Sequence, residues 1–249
     1  MHALGPLDLE VGDGEFLCIV GPSGCGKSTF LRIVAGLVRP TSGRVEVRSS
    51  GQFSIPYAVV FQDYSIYPWK TVERNVSFGL EVQGFSKKVS LEKSRRWLEM
   101  MGLSDFARAY PATLSGGMRQ RVAIARALAG EPEVLLMDEP FAALDAQLRQ
   151  LMQDELLAIW QADRRTVLFI THSLEEAIML GDRVVVMTSR PGRVLVSIQV
   201  PFERPRKPEL RDSAEFARFR AMLWDYLKGE VEHYLSDVHD EMADSREGR

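Results

Sequence analysis

The chain contains 249 residues, of which 45% are hydrophobic and 26% charged, a composition typical of globular proteins that excludes a mainly disordered chain. Its 31 Lys and Arg residues against 34 Asp and Glu residues give a net charge of −3, which disfavours a nucleic-acid partner because such proteins need a basic excess. No apolar run approaches the roughly 18 residues that span a bilayer, and the first residues lack the basic and apolar regions of a secretory signal. We therefore expect a cytoplasmic protein that does not cross the membrane by itself.

Strand and helix patterns alternate along the chain. Continuous apolar runs predict buried strands, and apolar residues at helical spacing predict helices. The predicted strands cover residues 16–20, 58–61, 134–137, 166–170 and 184–187, and the predicted helices cover residues 27–35, 116–129, 146–162 and 173–180. This alternation predicts an α/β fold with a mostly parallel sheet that helices cover on both faces.

Two segments depart from the alternation. Between residues 63 and 130 the pattern is helical only, with further helices predicted at 72–83 and 91–101, so we predict a helical subdomain inserted into an α/β core of residues 1–200. After Val200, prolines at positions 201, 205 and 208 precede an amphipathic helix near residues 214–228. Residues 201–249 are therefore predicted to form a C-terminal helical extension that packs on the core.

A glycine-rich turn follows the first predicted strand. Residues 21–28 read GPSGCGKS and match the phosphate-loop pattern GxxxxGK(S/T) in the strand–turn–helix context that it requires, so a merely flexible turn is the weaker interpretation. Backbone N–H groups of such a turn hold phosphate groups, Lys27 can reach the β- and γ-phosphates, and the Ser28 hydroxyl can coordinate Mg²⁺. The residues assigned to nucleotide binding are Gly21, Pro22, Ser23, Gly24, Cys25, Gly26, Lys27, Ser28 and Thr29.

Two adjacent acidic residues follow the strand predicted at 134–137. Residues 134–140 read VLLMDEP, which brings Asp138 to the carboxyl edge of the sheet, where open α/β folds bind ligands. Asp138 suits Mg²⁺, and Glu139 can orient and deprotonate a water that attacks the γ-phosphate. The alternative, an acidic strand end in a solvated loop, loses weight because the chain also carries a phosphate loop.

Residues 114–121 carry a resemblance to a known family. They read LSGGMRQR and resemble the signature motif of ATP-binding cassette (ABC) ATPases. Further landmarks of that family occur in the same order, with Gln62 at the glutamine loop, residues 143–145 (ALD) at the D-loop and His172 after a predicted strand. The resemblance covers almost the whole chain and implies a P-loop NTPase fold that binds and hydrolyses ATP with Mg²⁺.

The resemblance also implies roles for these residues. Two ABC cassettes pair head to tail, and the residues of one copy that would complete the ATP site of the other are Ser115, Gly116, Gly117 and Asp145. In such a pair His172 contacts the γ-phosphate and supports Glu139, while Gln62 senses the metal and the attacking water. The implied catalytic residues are Glu139, His172 and Gln62, and the implied Mg²⁺ ligands are Ser28, Gln62 and Asp138. Taken alone, a Ser-Gly-Gly turn is more simply a helix cap, and a lone histidine or glutamine is more simply structural.

Less specific resemblances indicate a subfamily. Residues 66–72 (IYPWKTV) and 189–193 (SRPGR) resemble segments of the nitrate/sulfonate/taurine-type importer ATPases. That subfamily implies a peripheral protein on the cytoplasmic face of the membrane, which works with separate permease subunits and indirectly with an extracytoplasmic solute-binding protein. The apolar cluster of Tyr64, Ile66, Tyr67 and Trp69 suits a groove for a permease helix, and equally a small core between subdomains.

One family feature is missing, and two other functions stay open. Residues 1–10 contain no Tyr, Phe or Trp, whereas the family stacks an aromatic side chain on adenine, so either translation starts upstream or nucleotide affinity is reduced. Two other functions are alternatives. A non-transport ABC ATPase acting on nucleic acid or a macromolecular complex is disfavoured by the net negative charge of the chain. A nucleotide-binding module without turnover is disfavoured because Glu139 and His172 are both present.

Overall fold

The computed structural model describes residues 3–48, 56–162 and 164–247, with side chains of the last helix described up to residue 232. These residues form two compact units, one from residues 3–38 and 170–247 and the other from residues 39–169. In chain order the elements are β1 (Phe16–Val20), α1 (Lys27–Val34), β2 (Tyr57–Val60), α2 (Val72–Val82), α3 (Lys87–Met100), α4 (Gly116–Ala129), β3 (Val134–Asp138), α5 (Ala146–Ala162), β4 (Thr166–Ile170), α6 (Leu174–Leu180), β5 (Arg183–Met187), β6 (Val194–Gln199) and α7 (Ala214–Glu247). Among the described residues, no helix is both long and apolar enough to cross a membrane.

Strand β1 is the core strand of the first unit. Its five residues are at most 1% exposed, as expected for a strand that is covered on both faces. It pairs in parallel with β5, from Leu17 opposite Arg183 to Val20 opposite Val186, and β6 pairs antiparallel with β5. Helix α6 packs on β1, and α7 packs on α6 and β5.

Helix α7 is attached to the first unit through its apolar stripe. Phe216 and Leu223 are fully buried, and the ring of Phe202 in the preceding connector stacks on Phe216 with centroids 6.0 Å apart. Burying large apolar side chains of this kind contributes about 1.5–3 kcal/mol each. The first half of the extension is therefore an integral part of the first unit.

The second unit combines a parallel strand pair with packed helices. Strand β2 pairs in parallel with β3, from Tyr57 opposite Val134 to Val60 opposite Met137, and β4 lies beside β3. Helices α2, α3 and α4 pack on one another. Both α3 and α4 begin at serine caps, since the side chains of Ser86 and Ser115 accept hydrogen bonds from N–H groups in the first turn.

The α/β fold with mostly parallel pairing is confirmed, and most predicted elements lie within one or two residues of the observed ones. Helix α3 begins at Lys87 rather than at residue 91, and α7 continues to Glu247 rather than ending at 228. Strand β6 was not predicted. The predicted domain boundaries, at residue 200 and at about 63 and 130, stay predictions.

Candidate active site

The phosphate loop follows β1 and leads into α1. Gly24 has φ +76° and Gly26 has φ +100°, a left-handed conformation that side chains other than glycine rarely adopt. A Cβ on Gly26 would lie 2.8 Å from the carbonyl oxygen of Ala3 and 2.7 Å from a methyl carbon of Leu4. Both the backbone angle and the lack of space therefore require glycine at this position.

Lys27 is the first residue of α1 and is only 8% exposed. Its ammonium donates hydrogen bonds of 2.8 Å to the carbonyl oxygens of Gly21 and Pro22, so the positive charge is held at the loop. The N–H groups of Lys27, Ser28 and Thr29 lie in the first turn of α1, where N–H groups have no acceptor within the helix and favour an anion. The loop and the helix start together fit a chain of phosphate groups.

Asp138 and Glu139 lie at the end of β3. Asp138 is the last residue of the strand and is 3% exposed. Glu139 has φ +47°, a sparsely populated conformation for a residue with a side chain that is often found at functional sites. Oε2 of Glu139 accepts a hydrogen bond of 3.4 Å from Nε2 of Gln62. The structure thus brings two of the predicted catalytic side chains into contact.

The Ser-Gly-Gly turn forms the start of α4. Oγ of Ser115 accepts a hydrogen bond of 3.2 Å from the N–H of Met118, so Ser115 does cap the helix. A hydroxyl that accepts this bond keeps its own proton for another acceptor. The N–H groups of Gly116 and Gly117 belong to the first turn, where the helix offers no acceptor. The cap and a phosphate-binding role are therefore compatible.

Two neighbouring loops pack against this turn. A Cβ on Gly116 would lie 3.2 Å from the hydroxyl oxygen of Tyr64, and one on Gly117 would lie 3.1 Å from a methyl carbon of Leu144. Asp145, the next residue, caps α5 by accepting a hydrogen bond of 2.9 Å from a backbone N–H of its first turn. The segment after Gln62, the Ser-Gly-Gly turn and the D-loop are therefore in direct contact within the second unit.

His172 lies in the first unit and is exposed. The preceding residue is fixed on β1, because the N–H of Thr171 donates a hydrogen bond of 3.1 Å to the carbonyl oxygen of Ile19. The Thr171 hydroxyl donates to Oε2 of Glu176 at 2.5 Å and accepts from the N–H of Ser173 at 3.0 Å. The backbone on both sides of His172 is thus held beside the strand that leads into the phosphate loop.

Comparison with known proteins places these features in a family. A family model described as ABC transporter matches residues 4–142. An uncharacterized ABC transporter ATP-binding protein of Methanocaldococcus jannaschii is 52% identical over 236 residues, which cover 93% of this chain and 86% of that protein. This chain belongs to the ABC transporter family. As an ABC cassette it binds ATP and is an ATPase.

Other cassettes that resemble it have transport names or solved structures. The nitrate import ATP-binding protein NrtD of Synechocystis sp. is 44% identical over 236 residues, covering 91% of this chain and 88% of that protein. The taurine import ATP-binding protein TauB of Rhizobium johnstonii is 45% identical over 206 residues, which cover 82% of this chain and 79% of that protein. A dimeric, post-hydrolysis structure of the ATP-binding cassette MJ0796 with ADP and Pi has a TM-score of 0.73 at 31% identity, covering 81% of this chain and 92% of that one.

The cassette carries donor groups of the kind that Mg²⁺ prefers. Ser28 supplies a hydroxyl, Gln62 an amide oxygen and Asp138 a carboxylate, and Mg²⁺ takes such oxygen ligands together with substrate phosphates. The donor set therefore fits the metal. The individual ligand, catalytic and nucleotide-binding assignments stay predictions.

Two residues that the motif analysis did not assign contact motif residues, one in each unit. Tyr64 is next to Gly116, and the guanidinium of Arg119 lies over its ring at 5.8 Å from the centroid. Arg190 donates two hydrogen bonds to the carbonyl oxygen of Gly24. The available signals were the aromatic cluster after Gln62 and the SRPGR segment, and neither pattern indicates by itself which distant residue it contacts.

Proposed function

We propose that this chain is the ATP-binding subunit of an importer and hydrolyses ATP to drive uptake of a small anion through a separate permease. The relatives named for nitrate and taurine import, 44% and 45% identical to it, support an import role and a nitrate-, sulfonate- or taurine-like solute. The observation that carries hydrolysis is the contact between Gln62 and Glu139 at the end of β3. A hydrogen bond between a base and an orienting group is one of the features that identify a catalytic site.

The phosphate loop and α1 bind the triphosphate. The ammonium of Lys27, which is bonded to two loop carbonyls in the structure, binds the β- and γ-phosphate oxygens in their place, and bonds between charged groups of this kind are stronger than neutral ones. The N–H groups of the loop and of the helix start bind the remaining oxygens. Ser28, Gln62 and Asp138 would hold Mg²⁺, which would neutralise part of the phosphate charge.

Glu139 accepts a proton from the attacking water. The hydrogen bond from Gln62 orients its carboxylate, and a base held in place in this way contributes about 10²–10⁴-fold to the rate. His172 contacts the γ-phosphate, where an oriented donor stabilises the charge that develops in the transition state. Its backbone is suited to this role because Thr171 and Ser173 are both held.

The Ser-Gly-Gly turn explains why two copies are needed. One chain already has a phosphate loop, so a second anion site is redundant until a second copy faces it. In a two-fold pair, the Ser115–Gly117 turn of each copy completes the ATP site of the other, and Asp145 lies beside it. The dimeric MJ0796 structure with ADP and Pi supports such a pair. Closure on ATP and opening after hydrolysis then move the permease at the cytoplasmic face, in a system fed by an extracytoplasmic solute-binding protein.

Phosphate release at saturating Mg·ATP tests the hydrolysis. Glu139→Gln is expected to bind ATP, to lower kcat at least about 100-fold and to accumulate as a dimer in light scattering. Glu92→Gln, the same change at an exposed position of α3, is the matched control and should turn over like the wild type. Equal turnover in both variants would contradict the role of Glu139. Failure of the wild type to hydrolyse ATP even with the permease would favour a binding module without turnover.

The solute is tested with the permease that copurifies with the chain. In proteoliposomes we expect ATP-dependent uptake of labelled nitrate or taurine, and no uptake with Glu139→Gln. Uptake of neither solute would contradict the proposed solute class. Copurification with DNA or RNA in place of a permease would overturn the import function in favour of a non-transport ABC ATPase.

A further inference from the structure

The turn between β5 and β6, residues 188–193, packs against the backbone of the phosphate loop. A Cβ on Gly192 would lie 1.9 Å from the carbonyl oxygen of Cys25, so only glycine lets the two backbones come this close. Nε and Nη2 of Arg190 donate hydrogen bonds of 3.1 and 3.0 Å to the carbonyl oxygen of Gly24. Two successive carbonyl groups of the phosphate loop therefore face this turn.

The orientation of these carbonyl groups fixes the orientation of the N–H groups. In a trans peptide the C=O and N–H point to opposite sides. Because the carbonyls of Gly24 and Cys25 face residues 188–193, the N–H groups of Cys25 and Gly26 point away from that turn. The N–H of Cys25 points across the loop, where it donates a hydrogen bond to the carbonyl oxygen of Pro22, with N and O 3.4 Å apart. Inward N–H groups of this kind form the anion-binding surface of a phosphate loop.

Hydrogen bonds to α7 fix the turn of residues 188–193. The N–H and Oγ of Ser189 donate hydrogen bonds of 2.7 and 3.1 Å to Oε2 of Glu230, and Ser189 is buried. Within the turn, the N–H of Thr188 donates to the carbonyl oxygen of Arg193 at 2.9 Å, and the N–H of Arg193 donates to Oγ1 of Thr188 at 3.0 Å. Direct contacts thus connect the C-terminal helix to the phosphate loop.

We propose that Arg190 is a positioning residue for nucleotide binding, which holds the Gly24 carbonyl so that the phosphate loop is ordered before ATP arrives. Glu230 supports Arg190 by fixing Ser189. A loop that is already ordered loses less conformational entropy on binding, so the effect falls on ATP affinity rather than on the chemical step. The inference rests on nucleotide binding at the phosphate loop, and it gives the C-terminal extension a role in the ATP site.

Calorimetric titration of the full chain with Mg·ATP tests the role of Arg190. Arg190→Ala is expected to raise the Kd about tenfold, while kcat at saturating ATP changes less than about twofold. Arg190→Gln keeps an N–H donor without the charge and should recover most of the affinity. Arg193→Ala removes the same charge from the same turn but no described hydrogen bond to the phosphate loop, and it serves as the matched control.

The second part of the test concerns Glu230. Glu230→Ala is expected to raise the Kd about threefold and to add little in the Arg190→Ala background, because both changes act through the same carbonyl. Glu232→Ala, at an exposed position of α7, should bind like the wild type. The inference is overturned if Arg190→Ala keeps wild-type affinity, if Arg190→Gln binds as weakly as Arg190→Ala, or if Arg193→Ala is equally weak. A wild-type chain that does not bind Mg·ATP would instead remove the proposed function itself.

Discussion

The hydroxyl of Thr171 donates a hydrogen bond of 2.5 Å to Oε2 of Glu176. Thr171 is 1% exposed and Glu176 is 7% exposed, whereas His172 between them in the sequence is exposed. The N–H of Ser173 donates to the same hydroxyl. A buried polar pair therefore fixes the backbone from which the His172 imidazole extends.

Thr171→Val keeps the side-chain shape and removes the hydroxyl. The change deprives the Glu176 carboxylate and the Ser173 N–H of this partner, so we expect the free energy of unfolding to fall by about 1–3 kcal/mol. We also expect kcat to fall about tenfold at unchanged ATP affinity, because a displaced catalytic group mainly affects the chemical step. Urea denaturation and phosphate release measure the two effects. Glu175→Gln, which weakens an exposed ion pair with Arg220, is the control, and wild-type kcat in Thr171→Val would show that His172 is held by other contacts.

Glu139 combines a predicted catalytic carboxylate with a left-handed backbone, φ +47°. This conformation costs a residue with a Cβ about 1–2 kcal/mol, a cost that glycine avoids. Glu139→Gly and Glu139→Ala both remove the carboxylate, so the difference between them reports the backbone. We expect the glycine variant to be more stable by about 1 kcal/mol in urea denaturation, and both variants to lack hydrolysis.

A matched pair on a helix gives the opposite expectation. Glu92 lies in α3, where glycine is less favourable than alanine by about 1 kcal/mol, so Glu92→Gly should be less stable than Glu92→Ala. Equal stabilities of the two Glu139 variants would mean that the turn relaxes when the side chain is removed, and that the left-handed angle stores no strain.

The sequence predicted those parts of the fold that depend on local patterns. The five apolar residues of β1 are buried as the pattern requires, and α4 begins at Gly116 because Ser115 caps it. Strand β6 was not predicted, because strands were predicted from continuous buried apolar runs and β6 has none. Its residues alternate between partly buried and exposed, with exposed Leu195, Ser197 and Gln199, so its pairing with β5 depends on the tertiary structure.

In the candidate site, too, the features set by local sequence could be predicted and those set by long-range contacts could not. The phosphate loop and the acidic end of β3 could be predicted because each is contained in a few consecutive residues. The contact of Arg190 with Gly24 spans 166 positions, and the contact of Gln62 with Glu139 spans 77. The family resemblance named Gln62 and Glu139 as partners in one site, but nothing in the local pattern indicates that Arg190 reaches the phosphate loop.

The guanidinium of Arg206 caps the C-terminal end of α6. Nη1 lies 2.8, 3.1 and 2.6 Å from the carbonyl oxygens of Ile178, Met179 and Gly181, which share its two N–H groups. The last carbonyl groups of a helix have no N–H partner within it and favour a cation. Burial lowers the pKa of Arg206 to about 10, and the neighbouring Arg204 adds to this, so the group still carries its charge at neutral pH.

Arg206→Met keeps the apolar stem and removes the charged donors. The three carbonyl oxygens then lose their partner inside the protein, and we expect the free energy of unfolding to fall by about 3 kcal/mol. Lys207→Met, the adjacent change at an exposed position, should alter it by less than about 0.5 kcal/mol. Urea denaturation at pH 7.5 compares the two. A loss below about 1 kcal/mol in Arg206→Met would show that water or Arg204 replaces the guanidinium.

Cys18 is fully buried in β1. Burial raises the pKa of its thiol, and the carboxylate of Glu176 adds to this effect. In the unfolded chain a cysteine thiol ionises near pH 8.5, whereas in the folded protein it stays neutral well above that pH. The folded state then binds more protons than the unfolded state, so the contribution of Cys18 to stability is lost as the pH rises above about 8.5.

The free energy of unfolding, measured at several pH values, tests whether the Cys18 thiol stays neutral in the folded protein. Between pH 7.5 and pH 10, the free energy of unfolding of the wild type should fall by about 2 kcal/mol more than that of Cys18→Ala. Cys18→Ala is itself expected to be less stable at pH 7.5, because the deleted sulfur leaves a small cavity, so the comparison uses the change with pH and not the absolute values. Urea denaturation under reducing conditions measures the free energy of unfolding of both proteins at each pH. Identical pH dependence in the two proteins would mean that the Cys18 thiol ionises in the folded state as easily as in the unfolded one, which requires water to reach the interior of β1.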